Sequence, residues 1–222
     1  MNVIPQRWSW QATPPSLGWL GQCPPDLPVV WAAWLADGAA YPTDLASLLS
    51  ADERARRERL KVPADRQRFL LGRGLLRLLA GAQLNLPPDR VELHEGPFGK
   101  PFIVPPPGEG ALHFNISHSG QLVLLAFHRA REVGVDVEQV QPGHHWEDIA
   151  QRVFSPQEHQ GLLALNPDER DGAFFQAWTR HEARLKTLGL GFTDARHAGP
   201  ETQVTCCDLE MPEGYRGAVA FL

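Results

Sequence analysis

One succession of signals occurs twice along this chain: a capped short helix, a long amphipathic helix and then several strands. The segments Ser50–Glu53 and Ser155–Glu158 each place a serine three residues before a glutamate, a spacing at which the two side chains satisfy backbone donors at a helix start. Pro63 can open the first long helix. The second long helix is predicted over Asp168–Leu188, and Gly189 can end it in a left-handed conformation. The repetition predicts two similar α+β halves related by an internal duplication, with a ligand site between them.

The boundary between the two halves is predicted near Arg131. Residues 1–130 would form an N-terminal half that begins with an irregular arm, rich in Pro and Trp, over residues 1–28; residues 131–222 would form a C-terminal half. Eight segments have the apolar patterns of strands. They are Val29–Leu35, Val91–Leu93, Pro101–Val104, Leu112–Ile116, Gln121–Phe127, Val133–Val140, Thr202–Cys207 and Tyr215–Leu222.

Composition argues against several classes of partner. A net charge of −5 and an isoelectric point near 6.0 do not suit a broad nucleic-acid-binding surface, which needs clustered basic residues. The longest apolar runs, such as Leu122–Phe127, are too short to span a bilayer, and the first ten residues lack the pattern of a signal peptide. Cys23, Cys206 and Cys207 give no disulfide framework. We therefore expect a cytoplasmic protein that binds neither nucleic acid nor a membrane.

The segment Val133–Glu138 alternates between valines and polar or small residues. The valines take one face of the predicted strand, and Gly134, Asp136 and Glu138 take the other. Two carboxylates on one strand face repel each other unless a cation lies between them, and magnesium prefers such oxygen ligands together with phosphate oxygens. Alone, the segment is also typical of a half-buried strand with a polar outer face.

The long helix carries a second candidate, Trp178–Lys186. Glu182 and Lys186 are four residues apart and share a helix face, whereas Trp178 and Leu185 are expected to face the core. An ordinary surface ion pair explains the first two residues. The functional interpretation makes Glu182 a third metal ligand or a base and makes Lys186 a phosphate contact.

Two further segments are predicted to be turns with anion-binding groups. In His113–Gly120, a strand runs into a turn with small polar side chains and an imidazole, which can present donors to an anion. In Gly96–Pro101, Lys100 follows a tight glycine turn whose spacing differs from that of a Walker A loop. Each segment, taken alone, is equally well explained as a hairpin connection.

In combination, four motifs occur in a specific order. They are a Gly-Lys-Pro turn at Gly99–Pro101, a Phe-Asn-Ile-Ser-His-Ser stretch at Phe114–Ser119, a Gly-Val-Asp-Val-Glu strand at Gly134–Glu138, and a Trp-x-x-His-Glu-Ala-x-x-Lys helix at Trp178–Lys186. This combination resembles the 4′-phosphopantetheinyl transferases of the surfactin-synthetase-activating type, over roughly residues 50–192.

The resemblance implies a fold and an activity. The fold would be a pseudo-dimer of two similar α/β halves with the active site at their interface. The enzyme would transfer the 4′-phosphopantetheine moiety of coenzyme A to a serine of an apo acyl or peptidyl carrier protein and release adenosine 3′,5′-bisphosphate. It would need Mg²⁺, which Mn²⁺ could replace, and it would act as a monomer because one chain supplies both halves.

The resemblance also assigns the metal and catalytic residues. Asp136, Glu138 and Glu182 would hold the metal ion, and Glu182 would take the proton of the attacking serine. Lys186 and His181 would contact the pyrophosphate of coenzyme A. His181 departs from the family pattern, which usually has lysine there, so a permanent cation is replaced by a group that titrates near neutrality.

The remaining cofactor contacts follow in the same way. Ser117 and His118 would hold the 3′-phosphate of coenzyme A, with help from Lys100. Arg68 and Arg73, on the first long helix, are further candidate phosphate partners because a guanidinium can donate two parallel bonds, although ordinary surface charge on a helix explains both arginines equally well.

Two alternatives to the transferase remain open from sequence. The histidine at position 181 is compatible with a coenzyme A or nucleotide-binding module that has lost catalysis. The same carboxylates could also serve a metal-dependent phosphohydrolase. The sequence does not select the natural carrier or its pathway.

Overall fold

The structure of the chain, a computed structural model, describes residues 6–7, 26–35, 44–96, 99–143, 145–190 and 203–222. The predicted arm at residues 1–28 lies almost entirely outside these residues, as does Cys23. None of the described helices has the length and apolar character that crossing a membrane would require.

The described residues form an α+β fold. The helices are α1 Asp44–Leu48, α2 Ala51–Arg59, α3 Pro63–Leu84, α4 Glu147–Val153, α5 Pro156–Ala164 and α6 Pro167–Leu188. The strands are β1 Gln6–Arg7, β2 Val29–Trp34, β3 Leu93–Glu95, β4 Pro101–Ile103, β5 His113–Ser119, β6 Leu122–His128, β7 Val133–Gln139, β8 Thr205–Asp208 and β9 Tyr215–Phe221.

Two main sheets and their helices are stacked in layers. The four-stranded sheet has the order β1-β2-β6-β5, the three-stranded sheet has the order β7-β9-β8, and β3 and β4 form a separate hairpin. Alternate residues of β6 enter two apolar clusters: Val123 and Leu125 pack with α3, whereas Leu122 and Leu124 pack with the valines of β7. Helix α6 covers the other face of the second sheet, against β7 and β9.

The helix ends confirm the predicted capping signals. Ser50 and Ser155 each form a complete capping box with the glutamate three residues later. Pro63 begins α3, and Gly189 ends α6 with a φ of 66°. These local signals therefore fix where α2, α3 and α5 begin and where α6 stops.

The predicted polar turn in His113–Gly120 is wrong in its bounds. Strand β5 continues to Ser119, which pairs with Leu122 of β6, so the turn consists only of Gly120 and Gln121. Gly120 has a φ of 55°, and a glycine suits the first central position of such a two-residue turn. The small polar side chains thus lie on a strand, because β6 pairs with this segment along its whole length.

Three shorter differences from the sequence prediction concern local elements. The strand predicted at Val91–Leu93 begins only at Leu93, because Pro88–Arg90 forms a 3₁₀ turn. Helices α1 and α4 were not predicted; both are short, and α4 lacks a side-chain cap of the kind found at α2 and α5.

Candidate active site

Strand β7 and helix α6 lie unusually close together at Gly134. A Cβ at this position would lie 2.5 Å from Thr187 N and would also clash with Ala183 O. Only glycine lets the two backbones approach in this way. The close approach places the α6 residues Glu182 and Lys186 beside the polar face of β7.

The polar face of β7 is buried at Gly134 and Asp136 and half-buried at Glu138. The side chain of Asp136 is 4% exposed, and its Oδ1 accepts bonds from Ser117 Oγ at 2.8 Å and from Lys186 Nζ at 2.5 Å. Its other oxygen, Oδ2, is buried and has no hydrogen-bond partner among the described residues. A buried carboxylate oxygen without a donor is costly, so this atom is a candidate ligand for a cation.

Glu138 lies two residues further along the same face. Its Oε2 accepts a bond from Ser119 Oγ at 2.7 Å. Burial raises the pKa of Glu138, and the neighbouring Asp136 and Glu182 raise this pKa further, although the Ser119 bond and Lys186 oppose the shift. The acidic groups therefore repel one another where they meet.

Glu182 completes the acidic group from the side of α6. Burial raises its pKa, Lys186 lowers it and Asp136 raises it. Asp136, Glu138 and Glu182 line one cavity of about 330 Å³. Trp178, which we expected in the core, contacts the apolar cluster around α4–α6 and also forms part of the cavity wall.

The chemistry of these ligands suits a hard divalent cation, but the carboxylates do not form a closed cage. Within the described part of the chain, no three His, Cys, Asp or Glu side chains are placed so that they could hold a metal ion by themselves. Magnesium usually binds through one or two carboxylates, with waters and substrate phosphates as its other ligands. The carboxylates that line this cavity, with Asp136 Oδ2 lacking a donor among the described residues, fit that mode of coordination.

A weakly basic region adjoins the acidic cavity at the end of β5. Burial lowers the pKa of His118, and the nearby cations Arg68 and Lys186 lower it further. Arg68 donates to Gly120 O at 2.9 Å and pairs with Asp65 at 2.6 Å. His118 and Arg68 are thus neighbours, and an anion placed between them would meet two nitrogen donors.

His181, in contrast, packs on an aromatic face of α6. Its ring lies 6.3 Å, centroid to centroid, from both Phe154 and Trp178. Burial lowers its pKa, so its neutral form is favoured. Among the described residues, it is outside the group that lines the acidic cavity.

Lys100 points into the junction between β4, β7 and α6. Its Nζ lies 2.7 Å from Glu132 Oε2 and also donates to Val133 O at 3.2 Å and Thr187 O at 3.3 Å. Glu132 in turn bonds His113 at 2.8 Å. The ammonium of Lys100 therefore already has three oxygen partners, next to a largely apolar cavity of about 540 Å³.

Arg73 lies in a third cavity, of about 960 Å³, between α2, α3 and the β3–β4 hairpin. Its guanidinium is 5.8 Å from the centroid of the Phe69 ring and 3.9 Å from Glu53 Oε1. Burial lowers its pKa. The structure thus separates Arg73 from Arg68, although both are on α3, because they face different sides of the helix.

Sequence reasoning missed two residues near the acidic site, Asn115 and Ser119. Both alternate with Ser117 along β5, and all three bond to β7. A two-residue period through the Phe-Asn-Ile-Ser-His-Ser stretch could have indicated a shared face, had the segment been predicted as strand throughout.

Comparisons with known proteins give family matches over both parts of the chain. Residues 33–130 match the family model described as "4′-phosphopantetheinyl transferase, N-terminal", and residues 132–210 match the model of the 4′-phosphopantetheinyl transferase superfamily. The chain is 37% identical over 183 residues to 4′-phosphopantetheinyl transferase HetI of Nostoc sp. (strain PCC 7120), covering 82% of this chain and 76% of the relative.

Two further relatives extend the comparison. A putative 4′-phosphopantetheinyl transferase of Synechocystis sp. (strain PCC 6803) is 37% identical over 175 residues, or 79% of this chain and 65% of the relative. 4′-Phosphopantetheinyl transferase Sfp of Bacillus subtilis (strain 168) is 34% identical over 147 residues, or 66% of this chain and 63% of the relative. By these matches, the chain belongs to the 4′-phosphopantetheinyl transferase family.

Proposed function

We propose that this protein transfers the 4′-phosphopantetheine group of coenzyme A to a serine hydroxyl of an apo acyl or peptidyl carrier protein. The other product is adenosine 3′,5′-bisphosphate. The observation that carries the proposal is that Asp136, Glu138, Glu182 and Lys186, from two distant motifs, line one cavity. The relatives in Nostoc and Bacillus subtilis, both named as 4′-phosphopantetheinyl transferases, support the same activity.

Asp136, Glu138 and Glu182 would hold a Mg²⁺ ion, or Mn²⁺ in its place. When bound, the metal would neutralise charge on the phosphoryl group under attack and on the departing phosphate. Asp136 Oδ2, which is buried without a donor among the described residues, supports this assignment. The three carboxylates leave room in the cavity for phosphate oxygens and water as the remaining ligands.

Glu182 is the proposed general base. Its carboxylate lines the acidic cavity, where the serine hydroxyl would enter, and burial raises its pKa in the absence of a metal ion. In the transfer, the serine oxygen forms a bond to the phosphorus that carries pantetheine. The bond from that phosphorus to the oxygen of adenosine 3′,5′-bisphosphate breaks, and the serine proton passes to Glu182.

Lys186 and the end of β5 would hold the phosphates. Lys186 also donates to Ser117 and to Val135 O, but unlike Lys100 it lines the acidic cavity, so it would contact the pyrophosphate while it remains beside Asp136. His118 and Arg68 would bind the 3′-phosphate. Ser117 adjoins that region, but its hydroxyl proton is directed to Asp136 at 2.8 Å, which favours a role in holding the carboxylate.

The contacts of three predicted site residues support other roles. Lys100 is saturated by Glu132 and two backbone oxygens, and Arg73 is held between Phe69 and Glu53 in a separate cavity. His181 packs in its neutral form against Phe154 and Trp178. We therefore assign Lys100, Arg73 and His181 to structural support of the fold and leave them out of the phosphate site.

The proposed architecture is a pseudo-dimer within one chain, with halves at residues 1–130 and 131–222 and the active site at their interface. Each half would contribute one sheet and one long helix, α3 or α6. Strand β5 comes from the first half, whereas β7 and α6 come from the second. A single chain would then supply the complete site, which supports a monomeric enzyme.

The test is a transfer assay read by intact mass spectrometry. The protein is mixed with coenzyme A, Mg²⁺ and a panel of apo acyl and peptidyl carriers, and the carrier should gain the mass of one phosphopantetheine. Asp136→Asn, which keeps the shape of the side chain, should lose transfer by more than about a hundredfold. Coenzyme A binding without a mass gain on any carrier would instead indicate a binding module. Phosphate release without a carrier would indicate a phosphohydrolase.

A further inference from the structure

Strands β5 and β7 belong to different sheets, yet they are joined by a row of side-chain bonds. Polar side chains of β5 accept hydrogen bonds from backbone N–H groups of β7, always twenty residues further along the chain. The three bonds run from Val135 N to Asn115 Oδ1 at 3.0 Å, from Val137 N to Ser117 Oγ at 3.3 Å, and from Gln139 N to Ser119 Oγ at 3.1 Å. Side chains here replace the backbone carbonyls of an ordinary ladder.

Ser119 stands at the end of this row and makes a second bond. Its oxygen accepts the N–H of Gln139, so the hydroxyl proton is free to be donated, and it is donated to Glu138 Oε2 at 2.7 Å. A hydroxyl that both accepts from a fixed backbone group and donates to a carboxylate has little rotational freedom. The Glu138 carboxylate is thereby held through one oxygen.

The turn that follows Ser119 is fixed from two sides. Arg68 of α3 donates to Gly120 O at 2.9 Å, and the N–H of Gln121 donates to Tyr215 Oη at 3.0 Å. A Cβ on Gly120 would lie 2.5 Å from that hydroxyl, so the turn fits closely against β9. The backbone of Ser119 is therefore anchored, and its hydroxyl is a rigid support for Glu138.

We propose that Ser119 is a positioning residue that aims the Glu138 carboxylate at the divalent-cation site. Ser119 itself is absent from the described residues that line the acidic cavity, whereas Glu138 is present. Groups that hold metal ligands by hydrogen bonds commonly change metal affinity when removed, by about 10- to 100-fold. The inference rests on the proposed function, because it requires that Glu138 binds a metal ion.

The direct test measures Mn²⁺ binding to the protein without substrate, by electron paramagnetic resonance of the free ion. Ser119→Ala should weaken Mn²⁺ binding about tenfold, and Ser119→Thr, which restores the hydroxyl, should return it to the wild-type value. In the transfer assay, Ser119→Ala should raise the Mg²⁺ concentration for half-maximal rate and leave kcat at saturating Mg²⁺ nearly unchanged.

The chain offers a matched control at Ser155. Its hydroxyl also donates to a glutamate, Glu158, at 2.8 Å and accepts a backbone N–H at 3.2 Å, but at the start of α5. Ser155→Ala should lower the unfolding temperature and leave the Mn²⁺ dissociation constant unchanged. If Ser155→Ala weakens Mn²⁺ binding as much as Ser119→Ala does, the effect is general destabilisation and the proposal is overturned.

A double-mutant cycle with Glu138→Gln separates the remaining outcomes. If Ser119 acts through Glu138, Ser119→Ala should have no further effect on Mn²⁺ binding in the Glu138→Gln background. Equal Mn²⁺ binding by wild type and Ser119→Ala overturns this inference alone. Absence of Mn²⁺ binding to the wild type overturns the proposed metal site, and this inference with it.

Discussion

The ammonium nitrogen of Lys186 lies 2.5 Å from Oδ1 of Asp136, so a cation from α6 already faces the buried carboxylate of β7. A buried charge needs a partner, and the lysine supplies one without any metal ion. Glu182, one helical turn before Lys186, faces the same cavity. The pair therefore links the stability of the protein to the electrostatics of its proposed active site.

Removing this lysine should make stability depend on metal. Lys186→Met should lower the free energy of unfolding in the absence of metal by about 2 kcal/mol, because the buried carboxylate of Asp136 loses its ion-pair partner. Added Mg²⁺ should stabilise the variant more than the wild type, since the metal then supplies the missing positive charge. Urea unfolding with and without Mg²⁺ measures both effects. Lys61→Met, at an exposed lysine, is the control, and an equal response to Mg²⁺ in all three proteins would contradict the prediction.

A methyl group at Gly134 should separate β7 from α6. Gly134→Ala places a Cβ against Ala183 O and 2.5 Å from Thr187 N, so we expect a loss of about 2–3 kcal/mol in the free energy of unfolding. Transfer activity should fall with it, because Glu182 and Lys186 move away from Asp136.

Gly161 provides the matched control for that change. It lies within α5, and a Cβ there would have nothing within 4 Å. Gly161→Ala should stabilise the protein by about 0.5–1 kcal/mol through higher helix propensity. Thermal unfolding of both variants decides the matter, and similar unfolding temperatures for the two would mean that the close approach at Gly134 is unimportant.

The interactions of Glu132 with His113 and Lys100 should contribute to the free energy of unfolding, and this contribution should be lost in acid. The bond from His113, together with Lys100, lowers the pKa of Glu132 from 4.5 to about 2. Because the folded pKa is the lower one, this contribution is complete above about pH 4.5 and is lost as the pH falls towards 2. Glu132 is 42% exposed on its side chain, so solvent screening reduces the contribution to about 1 kcal/mol. Glu132→Gln should therefore be less stable than wild type at pH 7, and the difference should shrink on acidification, as urea unfolding at several pH values can measure.

His128 should make the stability of the protein depend on pH in the opposite direction to an ion-paired histidine. Burial lowers its pKa, and its Nδ1 accepts the N–H groups of Ala130 and Arg131. The unfolded chain binds the proton more tightly, so the wild type should lose stability as the pH falls below about 6.5. His128→Asn keeps a short side-chain acceptor and cannot titrate. As the pH is lowered from 7.5 to 5.5, the free energy of unfolding of this variant should rise relative to that of the wild type. A difference that stays constant with pH would contradict the assignment.

Local signals in the sequence predicted most elements of the fold. Both capping boxes, the proline that begins α3 and the glycine after α6 act over a few residues, so their effects can be deduced without tertiary structure. The alternation of Val133–Glu138 likewise predicted which side chains of β7 share a face. Strand β5 was predicted too short, because Ser117, His118 and Ser119 are typical turn residues and their strand conformation depends on pairing with β6.

Side-chain partners were harder to predict than elements. Nothing in the order of residues indicates that Lys100 meets Glu132 or that His181 packs with Phe154, because these contacts join distant segments. Arg68 and Arg73 illustrate the same limit, since both belong to α3 and only the tertiary structure decides that Arg68 meets Gly120 and that Arg73 lines a separate cavity. The order of the motifs identified the family, whereas only the three-dimensional arrangement shows which basic side chains lie at the site.

The row of side-chain bonds between β5 and β7 has a consequence for how such a chain can change over time. An ordinary ladder tolerates many side chains, because the backbone makes its bonds, whereas here Asn115, Ser117 and Ser119 supply the acceptors themselves. Each replacement by an apolar residue would leave one N–H of β7 without that acceptor. A descendant that had lost the reaction would still need polar residues at these three positions to keep its sheets aligned. Polar residues kept at these positions in a distant relative would therefore indicate that the fold is inherited, and would not by themselves indicate that the reaction is.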